Sequence, residues 1–460
     1  MKDMTEGRPF GLILKFVFPM LMGNLLQQLY NVADASIVGK FLGPKALAAV
    51  GATGSVQFLI IGFCLGACSG FCVPIAQRFG AKEYGRMRRL LFNSILLTGS
   101  IAIVVTVCCA VFCNGILRIL SIPEDIWSDT YIYILILFLG IPFTLLYNLA
   151  AGVLRSVGDS RTPFLILAVS TVSNIFLDIF CIAVLKWGCA GAAIATVASQ
   201  AFSGILCTMV IIRKYEILHI RSEERKANPR AMKELLSIGV PMGLQFSITA
   251  IGSMVMQSAN NGLGSMYSSA FTACARIRGF AMCPFDAIAS GVATFCSQNY
   301  GAGNYRRIRT GYKIGCGMAV VYGLFSGTFL VLFGRTACLL FLSPQETQIL
   351  DLAKLFLATQ GFFWPILGLL NVARITTQGL GYTGRAFFSG AMEMIARTAV
   401  VLLFVPTYGF HAICYADLSA WILADCYIIP VSLLVLRKVR RDLEGRAAAR
   451  RVAGAKTCTT

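Results

Sequence analysis

Twelve apolar stretches, each long enough to cross a bilayer, decide what this chain can become. A hydrocarbon core of about 30 Å takes roughly 20 apolar residues of helix. Stretches of that kind run over 13–39, 46–76, 90–117, 129–154, 163–185, 190–212, 236–262, 266–297, 312–341, 349–373, 386–406 and 410–436. Of the 460 residues, 57% are hydrophobic and 13% charged, with a mean hydropathy of +0.73, so polar side chains are too few to cover a soluble globule. The expected fold is therefore all-α and integral to the membrane.

The formal net charge of +19 would point to nucleic acid in a soluble protein. Here most of the Lys and Arg fall in the N-terminal tail, in alternate inter-helix loops and in the C-terminal tail, while Glu124, Asp125 and Asp129 mark an acidic loop of the other set. The positive-inside rule accounts for that asymmetry, with both termini cytoplasmic and the chain in the cell (inner) membrane. No nucleic-acid partner is called for. The polar start, Met1 to Phe10, leads into the first span without a small-residue cleavage site, so an uncleaved first helix is expected. Seventeen cysteines lie in apolar stretches, and with only His219 and His411 beside them neither a zinc site nor a disulfide framework is supported.

Laying the second half under the first reveals a repeat at an offset of about 221 residues. Gln77, Gly80, Ala81, Tyr84, Arg86 and Arg88 fall on Gln298, Gly301, Ala302, Tyr305, Arg307 and Arg309. The register continues through Pro19 over Pro241, Gly43 over Gly264, Gly70 over Gly291, Asn148 over Asn371, Gly158 over Gly381 and Gly188 over Gly409. Six helices per half is an even number of crossings, so the halves run parallel and are related by an axis along the membrane normal. The expected organisation is an N-lobe over 1–212, a basic cytoplasmic linker over 213–234, a C-lobe over 235–436 and a basic tail over 437–460.

Ionisable residues inside a bilayer are costly and mark function. Six acids qualify: Asp34, Asp178, Asp286, Glu393, Asp417 and Asp425. Gln27, Tyr30 and Asp34 share one face of the first helix, Asn174 and Asp178 are one turn apart on the fifth, and Asn148 and Thr196 add oxygens from the same half. Two carboxyl groups among neutral amides and hydroxyls suit a proton and equally a Na⁺ ion, with Asp34 and Asp178 its first ligands. Mutual satisfaction within a bundle explains a single Asn or Thr as well; for the two acids function is the better account. Glu393 and Arg397, at i and i+4 on the eleventh helix, are expected to pair with each other, as structure first and substrate lining second. Asp286, Asp417 and Asp425 are placed nearer helix ends and rank lower. Pro19 is the expected hinge of the first helix, and Gly62, Gly66 and Gly70 form a ridge for close helix packing. Gly379 to Gly384 spell G-x-G-x-x-G, but no strand precedes them, so a turn is expected and not a dinucleotide site.

LYNVADASIVGKFLG at 29–43, LRSVGDSRTP at 154–163, SNIFLD at 173–178 and the paired loops QRFGAKEYGRMRR and SQNYGAGNYRRIR together resemble the multidrug and toxic compound extrusion (MATE) transporters, over nearly the whole chain. The resemblance implies two six-helix bundles in a V with alternating access. It is nearest the branch with its ion site in the N-lobe, which implies H⁺ or Na⁺ coupling at Asp34, Asn174, Asp178 and Thr196, a cavity lined by Gln27 and Asn148, and a bend at Pro19. The repeat partners of Asp34 and Asp178 lie near the apolar Met256 and Val401, which favours N-lobe coupling while Glu393 keeps a C-lobe contribution open.

The expected function is secondary active export of small amphipathic, cationic organic compounds by H⁺ or Na⁺ antiport, by a monomer without cofactor. A lipid-linked saccharide flippase of the same superfamily is the alternative, kept open by Arg276, Arg278 and Arg397, which could hold pyrophosphate. An integral-membrane enzyme is disfavoured by the lack of a His-rich or Ser/His/Asp constellation, and a passive channel by the lack of a filter loop.

Overall fold

The structure, a computed structural model, describes residues 3–120 and 122–457. Every regular element among them is helical: α1 (Pro9–Leu42), α2 (Pro44–Ala52), α3 (Gly54–Gly80), α4 (Tyr84–Val111), α5 (Cys113–Ile119), α6 (Glu124–Leu139), α7 (Ile141–Ser156), α8 (Arg161–Ile179), α9 (Gly188–Lys214), α10 (Pro229–Gly262), α11 (Ser265–Gly301), α12 (Tyr305–Cys338), α13 (Thr347–Gly379), α14 (Thr383–Tyr408) and α15 (Phe410–Thr457). Among the described residues, eleven spans are long and apolar enough to cross a membrane, α2 and α3 counting as one, and the bent pair α6 and α7 brings the number to twelve. Phe176, Phe325, Leu332 and Leu402 are each at least 66% exposed, a surface that only lipid solvates cheaply.

The stretch expected as one helix over 129–154 is two, meeting at 43°. Gly140 caps the first, and Pro142 opens the second at a position where its missing N–H costs nothing. Gly140 also has to be glycine: a Cβ there would come within 2.3 Å of Val197 Cγ2 on α9.

The chain divides into two compact units. The first holds Phe18–Ile75 and Tyr84–Ala250. In it the expected glycine ridge is a packing face, for a Cβ on Gly66 would lie 2.7 Å from Met242 O and one on Gly70 2.5 Å from Gly239 Cα. This brings the α3 and α10 backbones closer than any larger residue allows. The linker is part of the same unit. Arg88 on α4 grips Glu224 with Nε to Oε2 at 2.7 Å and Nη2 to Oε1 at 2.8 Å, and the Asn228 N–H donates to Asn93 Oδ1 at 2.9 Å. The Tyr215 hydroxyl donates to Asp159, whose other oxygen accepts the Arg161 and Thr162 N–H groups. Burial pushes the Asp159 carboxyl up, but these hydrogen bonds together with that of the Thr162 hydroxyl outweigh it and hold it below the usual carboxylate range. The basic linker contains two short helical turns, Glu216–Leu218 and Ser222–Glu224.

The second unit holds the segment ending at Val17, Ala76–Glu83 and everything from Ile251. Here the two repeat loops meet in reciprocal contact: a Cβ on Gly80 would lie 1.9 Å from Gln298 O, and one on Gly301 1.7 Å from Gln77 O. Each glycine thus closes on the backbone of the other repeat's loop, so the presence of glycine at both positions follows from packing. Gly379 to Gly384 make the turn between α13 and α14, with Gly381 at φ +90° and Gly379 O accepting from Gln77 Nε2 at 3.1 Å and Ser297 Oγ at 2.7 Å. Met4, 1% exposed, is sealed in by its N–H to Gln298 Oε1 at 3.0 Å and by Arg307, whose Nη2 and Nη1 donate to Met4 O at 2.9 Å and Gly7 O at 2.7 Å.

Candidate functional site

The polar group of the first unit is built from α1, α8, α9 and α6. Tyr30 and Asp34 are one turn apart on α1, and the Tyr30 hydroxyl lies 2.9 Å from Thr196 Oγ1 on α9. Asp178, fully buried, and Asn174, 1% exposed, stand one turn apart on α8. The carboxyl groups of Asp34 and Asp178 are within hydrogen-bonding reach of each other. Yet Asp34 Oδ1, both Asp178 oxygens and both polar atoms of the Asn174 amide have no donor or acceptor among the described groups when the acids are ionised. Two ionised carboxylates have no hydrogen to share, so contact between them calls for a proton or a cation.

Local structure fixes this geometry. Immediately after Asp178 the helix widens into a π-helical turn over Phe180–Val184, a form that inserts a residue and re-aims what precedes it. Beyond the acids an apolar layer of Val38, Ala46, Leu137, Ile182, Cys189, Ala192 and Ala193 is packed around Tyr133. That layer withholds solvent from the carboxyl groups on this side, and Val38 and Ile182 each follow their acid by one turn on the same strand of chain. Tyr133, 5% exposed, interacts electrostatically with both acids and with Tyr30. Sequence reasoning missed it, though a tyrosine inside YIYILILFL was a signal, because a buried phenol needs a partner.

Of the expected lining residues, Asn148 belongs to a neighbouring group: its Nδ2 donates to Thr144 O at 2.7 Å, and the Thr144 hydroxyl is bonded to Gln200. Gln27, two turns before Asp34 on α1, is exposed. Pro19 lies inside a continuous α1, beside the point between Val17 and Phe18 where that helix passes from one unit to the other.

In the second unit the expected pairing of Glu393 with Arg397 is not formed. Glu393 Oε2 pairs with Arg374 Nη2 of α13 at 2.9 Å, and Arg397 donates through Nε and Nη2 to Asp417 Oδ1 of α15, both at 2.8 Å. Arg278 of α11 also pairs with Asp417, and Gln360 Nε2 reaches its Oδ2 at 3.0 Å. The i, i+4 spacing makes a pair available on one helix, but a neighbouring helix that presents its carboxylate to the guanidinium fork wins it. Asp417, close to the start of α15 as its sequence position implied, is thus a buried hub.

The MatE family model matches this chain twice, over residues 19–180 and 241–403. A Bacillus subtilis relative, the probable multidrug resistance protein YoeA, is 30% identical over 340 residues, covering 72% of this chain and 73% of its own. The chain belongs to the MATE family. The two MatE matches fall on the two halves of the repeat, and MATE proteins are membrane transporters and not enzymes. A second Bacillus subtilis protein, the probable multidrug resistance protein YpnP, is 27% identical over 420 residues and covers 91% of each chain. An outward-facing multidrug resistance MATE family transporter of the MOP superfamily superposes with a TM-score of 0.89 at 22% identity, over 95% of this chain and 98% of its own. A MOP superfamily transporter from Pyrococcus furiosus superposes with a TM-score of 0.87 at 23% identity, over 96% and 98%. At such identities these structures establish the MATE fold alone.

Proposed function

We propose that this MATE chain exports small amphipathic organic cations in exchange for protons, and that the Asp34 and Asp178 pair is the proton site. The observation that carries the reading is two carboxyl groups near enough to act on each other, with no cationic side chain among the groups that act on them. A proton held between them satisfies both; its loss leaves negative charge in a poorly solvated, apolar-capped site, where a cationic substrate or a new proton is the cheapest remedy. Substrate and proton then stabilise different conformations of the same chain, which is the linkage antiport requires. Thr196, tied to Tyr30, and Asn174 hold the neutral polar groups of the pocket, and Pro19 supplies the bend through which α1 responds. The names of the Bacillus subtilis relatives, probable multidrug resistance proteins, support a broad organic cargo. The same reading places the chain in the cell membrane as a monomer, with both termini cytoplasmic.

Sodium is the second reading, favoured by one observation: Asn174 Oδ1 is unpaired beside the two carboxyl groups and adds a neutral oxygen to them. Purified protein in proteoliposomes tests both. Ethidium movement driven by an imposed pH gradient at constant Na⁺, and lost in Asp34→Asn and Asp178→Asn, supports proton exchange. Movement driven by a Na⁺ gradient alone transfers the site to sodium, and gradient-driven movement that survives both substitutions refutes the assignment of the site.

A further inference from the structure

Among the described residues of the second unit, Asp286 is the intramembrane acid on which no charged group acts. Asp417 is held by Arg278, Arg397 and Gln360, Glu393 by Arg374, and Asp425 lies among the charges of Arg374 and Glu393. Asp286 makes no ion pair and no hydrogen bond among the described residues, and burial is the one influence acting on it. It stands near the middle of α11, not at the helix end where its sequence position had placed it. An unpaired carboxylate at that depth is retained only where water or a ligand meets it.

The face on which it sits is polar. From Ile277 to Gly301 α11 has no fully exposed residue, and Phe285, Ile288, Ala289 and Val292 are buried in the bundle. The half-buried positions recur every fourth residue as Met282, Asp286, Ser290 and Thr294, which places them along one side of the helix. A lipid-facing side would carry leucines and phenylalanines of the kind exposed on α12 and α14, not a carboxylate followed by two hydroxyls.

We propose that Asp286 is a substrate-contacting residue that selects for positive charge, with Ser290 and Thr294 beside it and Met282 as an adaptable apolar wall. The inference rests on the exporter reading above and adds to it a charge-selecting residue from the second unit, separate from the proton site of the first. A positively charged head attached to a flat apolar body matches this stripe, the head meeting the carboxylate and the body meeting Met282.

Equilibrium binding of tetraphenylphosphonium and of ethidium to the purified full-length chain, without any gradient, tests it. Asp286→Asn is expected to weaken both by about tenfold, the factor that 1.4 kcal/mol represents. Asp286→Glu is expected to restore most of the loss, and the pH dependence of transport should stay with Asp34 and Asp178 in both variants. Unchanged binding in Asp286→Asn overturns the proposal. So does a variant that no longer purifies as a folded protein, since that would mean that a structural partner holds the carboxylate. Because binding is read without a gradient, failure of proton coupling in the wild type would sink the exporter reading and leave this test standing.

Discussion

Arg397 is bonded to Asp417, a helix away, and not to Glu393, one turn back on its own helix. A buried guanidinium is costly without a carboxylate within reach of its donors, and α15 delivers one. Arg397 and Asp417 are 4% and 2% exposed at the side chain, so their coupling is little screened.

A double-mutant cycle reads this directly. Melting temperatures in detergent for Arg397→Met, Asp417→Asn and the pair should yield a coupling of about 1 to 3 kcal/mol. The corresponding cycle for Arg397→Met with Glu393→Gln should yield less than about 0.5 kcal/mol. Equal couplings would restore the same-helix pair.

The linker supplies a pH-dependent prediction. Hydrogen bonds from Arg88 hold the Glu224 carboxyl below its ordinary range, against the upward push of burial and with help from the Arg221 N–H. A carboxyl lowered on folding contributes stability that is complete above its unfolded value, about 4.3, and is lost as pH falls through the lower folded value. Hydrogen exchange over 215–228 is therefore expected to be slow and constant from pH 8 to about pH 5, after correction for intrinsic rates, and to accelerate below about pH 4. Glu224→Gln should exchange roughly tenfold faster at neutral pH and lose the acid transition. A linker equally fast in both proteins would show it to be a loose tether.

At the N-terminal segment, Arg307 spends its fork on two carbonyls and its Nε on Asn299 Oδ1 at 2.9 Å. Lysine has one ammonium for these three acceptors. Arg307→Lys is expected to cost about 1 to 3 kcal/mol of local stability, seen as faster exchange at residues 4–8 with that of the α13 core unchanged. Unchanged protection there would mean that burial of Met4 alone holds the segment.

Much of this was legible in the chain because it is written in periods. Apolar length located the spans, the offset repeat picked out the two segments that the family model matches, and the one-turn spacings of Tyr30 with Asp34 and of Asn174 with Asp178 picked out polar faces, the first of which meets Thr196. What escaped depends on which helix lies next to which. The partner of Glu393 is on α13 and that of Arg397 on α15, and Tyr133 comes within the electrostatic range of the two acids from α6. Asp286 ranks low in the sequence for the same reason: that the neighbouring helices bring it no ionic partner is a property of packing and not of its own helix.

The most direct test of the central claim is proton release on substrate binding. Purified protein in weakly buffered detergent solution near neutral pH should release about one proton for each tetraphenylphosphonium bound, and Asp34→Asn with Asp178→Asn should abolish the release. Binding with no release in the wild type, or the same release in the double variant, would contradict a proton shared by Asp34 and Asp178.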